Sequence, residues 1–321
     1  FLGELARARA HMDRALTILG ASEDADQAAI GDILIQAAAL SAKGGDLAVA
    51  LTQMQRGLKL QAEVLGSDAL TVGVNLLIYA ELLSSLDQYD EELEICLRAT
   101  KIIAAKAPPK HPLHGHAMLA LARANLDLDH LTEARDLFLA AADSFEDALG
   151  KQHPFYANAL NNHAILLGKM DDQEGALPLF EEAYAVLSKT VRPDDANLGL
   201  VRHSIAAALL DLGRKDQARP YVAEAEAIAE RSVTKLAVSG SAREAREAVR
   251  AYYDPLGLYL GVLDRPEDAE TAYDRVLFWK GAATRAARGR RIDAETTLED
   301  RQRRAEIERL DTEISTLIYA P

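Results

Sequence analysis

Residues 160–183 read LNNHAILLGKMDDQEGALPLFEEA, and their grammar sets the fold. Ala164 is a small pivot. Leu167 follows three places on, Asp171 seven, Ala176 twelve, Phe180 sixteen and Ala183 nineteen. Steps of 42 residues carry the pivot to Ala38, Ala80, Ala122 and Ala206. The third place then holds Ser41, Leu83, Asn125 and Leu209, and the seventh holds the turn formers Gly45, Asp87, Asp129 and Gly213. The twelfth holds Ala50, Glu92, Ala134 and Ala218, the sixteenth Met54, Cys96, Phe138 and Val222, and the nineteenth Gly57, Ala99, Ala141 and Ala225. His111-Pro112 returns as His153-Pro154 at the same spacing. Five ungapped copies do not arise by chance, and a fixed period of this size signals a repeat array.

Each copy predicts two helices. The first carries the pivot, a tight turn follows at Gly or Asp, and the second stacks small, large and small residues on one face. Small residues let the helices approach closely, and the large one fills the gap to the next pair. Asp90, Thr132, Glu174 and Asp216 fall near the second helices' starts, where they can cap free N–H groups and meet the positive dipole end. Pro178 and Pro220 are expected in the first turn, where no hydrogen bond is lost.

This pattern resembles the tetratricopeptide repeat (TPR) family in the 42-residue form of kinesin light chains. The residues that carry the likeness are Leu160-Asn161-Asn162-His163-Ala164, Asp171, Ala176-Leu177-Pro178-Leu179-Phe180 and Ala183, with the linker Leu149-Gly150-Lys151-Gln152-His153-Pro154. The resemblance implies an all-α, right-handed superhelical solenoid of antiparallel helix pairs. It covers residues 1–235: a half repeat over 1–20, then five repeats. Gly3, Ala8, Met12 and Ala15 occupy second-helix places, so the chain is expected to begin inside a repeat, with residues missing upstream. Residues 236–281 read as a degenerate capping pair, displaced by nine inserted residues. Residues 282–321 read as a charged helix and linker whose stripe Ile307, Leu310, Ile314 and Leu317 needs a partner.

Tyr273, Val276-Leu277 and Lys280-Gly281, with the charged helix after them, are similar to the junction where TPR arrays precede a caspase-like CHAT peptidase domain. That resemblance implies a peptidase in cis beyond Pro321, and a bacterial regulatory or substrate-recruiting role for this chain. The family's His–Cys dyad maps to no residues here.

Composition narrows the partners. Fifty acidic against thirty-six basic side chains leave a net charge of −14, which disfavours nucleic acid and anionic lipid. Hydrophobics are 49% but aromatics only 5%, so Ala and Leu carry the apolar mass, as close-packed helices need. One cysteine excludes an internal disulfide and a cysteine zinc cluster, and no apolar run reaches membrane length. A cytoplasmic chain is expected.

No catalytic residue, metal or cofactor is expected. Cys96 takes the place of Phe138 and Phe180 and so faces the packed interior. His111 belongs to the linker, which leaves His114 and His116 without further ligands. His163 falls at a core-facing place. No phosphate-cradling glycine motif is present. The arginines of 285–309 are nearly cancelled by interleaved acids, as on a solvated helix.

The groove remains. First helices line the concave side of such an array. Its inward places lie six and three before the pivot and one after, giving His116, Asn158, Asn161, Arg123, His203 and Glu81; Asn162 adds the family's second asparagine. Amides can clamp a peptide backbone, and Arg123 can pair with a carboxylate. The expected function is a scaffold that binds a protein or peptide in this groove. The rival reading is a stand-alone peptide-responsive regulator or adaptor without a peptidase.

Overall fold

The computed structural model describes residues 26–192 and 195–224, and residues 8, 11, 12, 14–19, 262, 268 and 273 besides. Among them every regular element is a helix. In order these are α1 (Gln27–Lys43), α2 (Leu47–Leu65), α3 (Leu70–Ser84), α4 (Tyr89–Lys106), α5 (Pro112–Asp127), α6 (Leu131–Leu149), α7 (Pro154–Lys169), α8 (Gln173–Thr190) and α9 (Ala196–Asp211). A further helix spans 215–224. Two compact units are distinguished, Phe1–Ser204 and Ile205–Pro321. The expected capping pair and charged helix lie outside the described residues, apart from residues 262, 268 and 273, as does much of the half repeat.

The predicted turns form at the predicted residues. Gly45, Asp87, Asp129, Asp171 and Gly213 all have positive φ, between 57° and 80°. The residue after each donates its N–H back to the carbonyl five places earlier, as in Asp46 to Ser41, Gln88 to Leu83 and Asp172 to Leu167. This closure satisfies carbonyls that the helix end leaves bare. Asp carries some strain in that backbone region that Gly does not.

The pivots Ala38, Ala80, Ala122 and Ala164 are buried in the first unit, with Ala50, Ala134 and Ala176 opposite them. Met54, Cys96, Phe138 and Phe180 fill the space between. A second small set lies seven places before the pivot: Gly31, Gly73, Gly115 and Ala157. It faces a set 23 places after the pivot, Gln61, Ile103, Phe145 and Leu187, all fully buried. A Cβ on Gly115 would come within 2.7 Å of the Phe145 ring, and one on Gly57 within 2.8 Å of the Gly31 carbonyl. These contacts let neighbouring helices come nearly backbone to backbone.

Two details correct the sequence reading. Pro178 sits in the second turn of α8, not the first, and Pro220 is likewise interior to 215–224. Each leaves one carbonyl, Glu174 in the first case, without its usual partner. Glu174 is also not the cap: Asp172 is, accepting from Gly175 N at 2.9 Å. The second helices that start after Asp46, Gln88 and His130 make no side-chain cap bond, so Asp90 acts only as a charge near the dipole and Thr132 is not a cap.

In the second unit Ala206, Ala218 and Val222 are buried, and Arg219 pairs with Asp268 at 3.0 Å. No helix among the described residues is long and apolar enough to cross a membrane.

Candidate binding face on the first helices

Each pair contributes one first helix, and α1 touches α3 as α3 touches α5. The first helices therefore stand side by side across the second helices between them. Half-buried Leu77 and Ile78 of α3, Leu119 and Ala120 of α5, and Ile165 of α7 give this face an apolar floor.

Glu81 and Arg123 stand exposed at the same register on α3 and α5. Neither makes a side-chain hydrogen bond or ion pair with another described residue. Asn158 and Asn162 lie half-buried on α7, and Asn162 Nδ2 donates to the Asn158 carbonyl at 2.7 Å. That bond uses one of the two amide hydrogens on its own helix and leaves the other, with the Asn162 oxygen, for further partners. Asn161 is withdrawn from the surface, only 4% exposed, and its Oδ1 is buried without a partner. His203 is half-buried on α9. His116 packs edge-on to Phe145 and Phe155, with centroids 5.0 and 4.5 Å away. Burial, and secondarily His153, lowers its pKa, so it is a neutral packing element at physiological pH. The structure thus presents Glu81, Arg123, Asn158 and Asn162, and places Asn161 and His116 within the packing.

Sequence reasoning passed over a polar cluster near Arg123, in which a buried Glu92 neighbours an exposed Ser84–Asp127 bond. Glu92 occupies the alanine place of α4 and is 3% exposed. Ser84 at the end of α3 donates to Asp127 Oδ2 on α5 at 3.1 Å, joining consecutive first helices. Burial and then the Asp127 charge push the Glu92 carboxyl up to about 7, against the opposing pull of Arg123 and of a hydrogen bond with Ser84. Its Oε2 has no hydrogen-bond partner. The available signal was a carboxylate where four other copies carry alanine.

The remaining chemistry-bearing residues serve structure. Cys96 is fully buried, and burial together with Glu92 pushes its thiol up to about 12, so no thiolate forms near neutral pH. His111 Nδ1 accepts from Leu113 N at 3.2 Å and His153 Nδ1 from Phe155 N at 3.1 Å, so both are helix N-caps preceding a first-turn proline. His114 Nε2 lies 3.0 Å from the Pro108 carbonyl. His163 is buried, as its place predicted, and burial lowers its pKa. Among the described residues no three His, Cys, Asp or Glu side chains converge as a metal site.

The tetratricopeptide repeat family model matches residues 117–189. No curated protein matches the chain. Solved structures do. A kinesin light chain candidate from Podosopora anserina, with nearly identical TPR-like repeats, is 20% identical, covers 63% of this chain and 96% of its own, and has a TM-score of 0.52. BtubC (BKLC) from P. vanneervenii is 21% identical over 70% of this chain and 90% of its own, with a TM-score of 0.59. A Rap protein complexed with Competence and Sporulation Factor is 13% identical over 81% of this chain and 77% of its own, with a TM-score of 0.53. At these identities the likeness is one of fold. Residues 117–189 are tetratricopeptide repeats, set in a longer run of helix pairs folded like those of kinesin-light-chain-type arrays.

Proposed function

We propose that this chain is a non-enzymatic TPR scaffold working in the cytoplasm, and that the first-helix face binds a segment of a partner protein. One observation carries the reading: Glu81 and Arg123 are exposed at matching places on neighbouring first helices, without a hydrogen bond or ion pair to another described residue, and with half-buried apolar side chains one turn before each. Opposite charges on neighbouring helices fix the direction and register of a bound chain, while the floor accepts its apolar side chains. Asn158 and Asn162 extend the polar contacts to α7. The Rap protein similar in fold is complexed with Competence and Sporulation Factor, which supports ligand capture by this kind of array. The lone buried thiol suits a reducing compartment. The finer reading is the regulatory or recruiting portion of a CHAT-type caspase-like protease. It rests on the residues of 269–281, and a caspase-like His and Cys encoded downstream would establish it; their absence there would reject it.

The binding test screens the full chain against a displayed library of random peptides. Selected peptides should lose tenfold or more in affinity when Arg123→Ala and Asn158→Ala are combined, by calorimetry. Unchanged affinity would remove the first-helix face from the reading.

A further inference from the structure

The cluster near Arg123 leaves its buried member short of a donor. The Ser84 hydroxyl has a single hydrogen to give, and two carboxyls compete for it: the exposed Asp127, which takes it, and the buried Glu92, whose ionised form Ser84 also favours. In the structure that hydrogen goes to Asp127 Oδ2. A neutral Glu92 resolves the conflict, because its own O–H can donate to Ser84 while Ser84 donates to Asp127. An ionised Glu92 has only acceptors, so it competes with Asp127 for the one hydroxyl and repels it.

We propose that Glu92 is a proton-operated lock on the junction between the second and third helix pairs: neutral, it completes a relay through Ser84 to Asp127 that ties α3 and α4 to α5; ionised, it breaks that relay and turns toward Arg123. Three observations support it together. Glu92 fills a place where Ala50, Ala134, Ala176 and Ala218 stand in the other copies, so packing alone does not call for a carboxyl. Its Oε2 is buried and unpartnered, which costs most when the group is charged. The Ser84–Asp127 bond is a side-chain link between consecutive first helices, so its loss is felt between pairs.

The surroundings agree in sign. Glu81 and Ser84 on α3, Asp87 and Tyr89 at the α3–α4 turn, Cys96 on α4, and Arg123 and Asp127 on α5 form the local electrostatic setting. Of the charged groups only Arg123 favours the ionised form, and it is exposed, where water screens it. With its folded pKa raised from 4.5 to about 7, Glu92 contributes stability that is complete below about pH 4.5 and is lost as pH rises through about 7. The lock therefore opens around neutrality and closes on mild acidification.

The test is hydrogen exchange of the full chain at pH 6 and pH 8, corrected for intrinsic rates. Amides of α4 and α5 should lose about tenfold in protection over that interval, as a single proton with a raised pKa requires. Glu92→Gln keeps a donor for Ser84 at every pH, so it should hold the protected value throughout. Glu92→Ala restores the residue of the other copies and should also abolish the pH dependence. A wild-type profile that matches Glu92→Gln, or a pH response that survives both substitutions, would overturn the lock. Carbon-13 NMR of labelled glutamates decides independently: the resonance missing in Glu92→Gln should titrate near 7, and titration in the ordinary carboxyl range overturns the proposal.

Discussion

The first and second helix pairs each admit a polar side chain into a slot that is apolar elsewhere, with different results. Gln61 stands where Ile103, Phe145 and Leu187 stand in later copies and is fully buried. Both ends of its amide are used: Asn75 Nδ2 donates to Oε1 at 2.8 Å, and Nε2 donates to Asp32 Oδ1. Glu92 stands in an alanine slot, and one of its oxygens finds no partner. An amide brings donors and an acceptor together, so neighbours on α1 and α3 complete it. A carboxylate brings only acceptors, and its surroundings hold another carboxylate, one hydroxyl and the exposed Arg123. The array thus tolerates polarity in its core where donors and acceptors balance, and becomes pH-responsive where they do not.

The sharpest contrast is with a slot filled by an apolar ring. Phe145→Ala removes a fully buried ring packed against Gly115 and should cost about 3–5 kcal/mol in urea denaturation. A smaller value would mean that the first and third pairs are packed alike despite Gln61. Next comes Gln61→Leu, which returns the slot to an apolar residue but strands the Asn75 donor. It should cost about 1–2 kcal/mol. If it stabilises the protein, the balance ascribed to Gln61 is false.

Much of this architecture is legible in the sequence because it depends on local backbone and on volume. Turn residues at a fixed place impose positive φ, and small–large–small spacing imposes close helix approach, so Asp171 and Phe180 could be placed without coordinates. His111 and His153 are legible for the same reason, since a cap followed by proline is a local device. What stays hidden depends on the neighbour. Asn161 reads as a groove residue from its register, yet it is covered. His116 reads as a groove contact, yet Phe155 from the next copy takes its edge. Pro178 reads as a first-turn residue, yet packing of Leu177 and Phe180 holds the helix around it. Glu92 was visible as an exception to its column, but its meaning needed Ser84 and Asp127, which come from two other helices.

The smallest expected effects compare the turns that close these pairs. Asp171 has φ 64° and Gly45 has φ 80°. Asp171→Gly should stabilise by about 0.5–1 kcal/mol and Gly45→Ala should destabilise by about 1 kcal/mol. Thermal unfolding of both variants measures the difference, and equal signs would show that the turns are not equivalent.

The rings of Phe145, Phe155 and His116 come from three helices and two successive copies. Genes of this kind lengthen and shorten by misaligned recombination in whole periods. A crossover between codons 116 and 155 would set Phe145 or Phe155 against the counterpart of a different copy, Asn158 or Val74 in place of His116, and the ring contact would vanish from the product. These two copies are therefore joined by a contact that no shift of a whole period preserves.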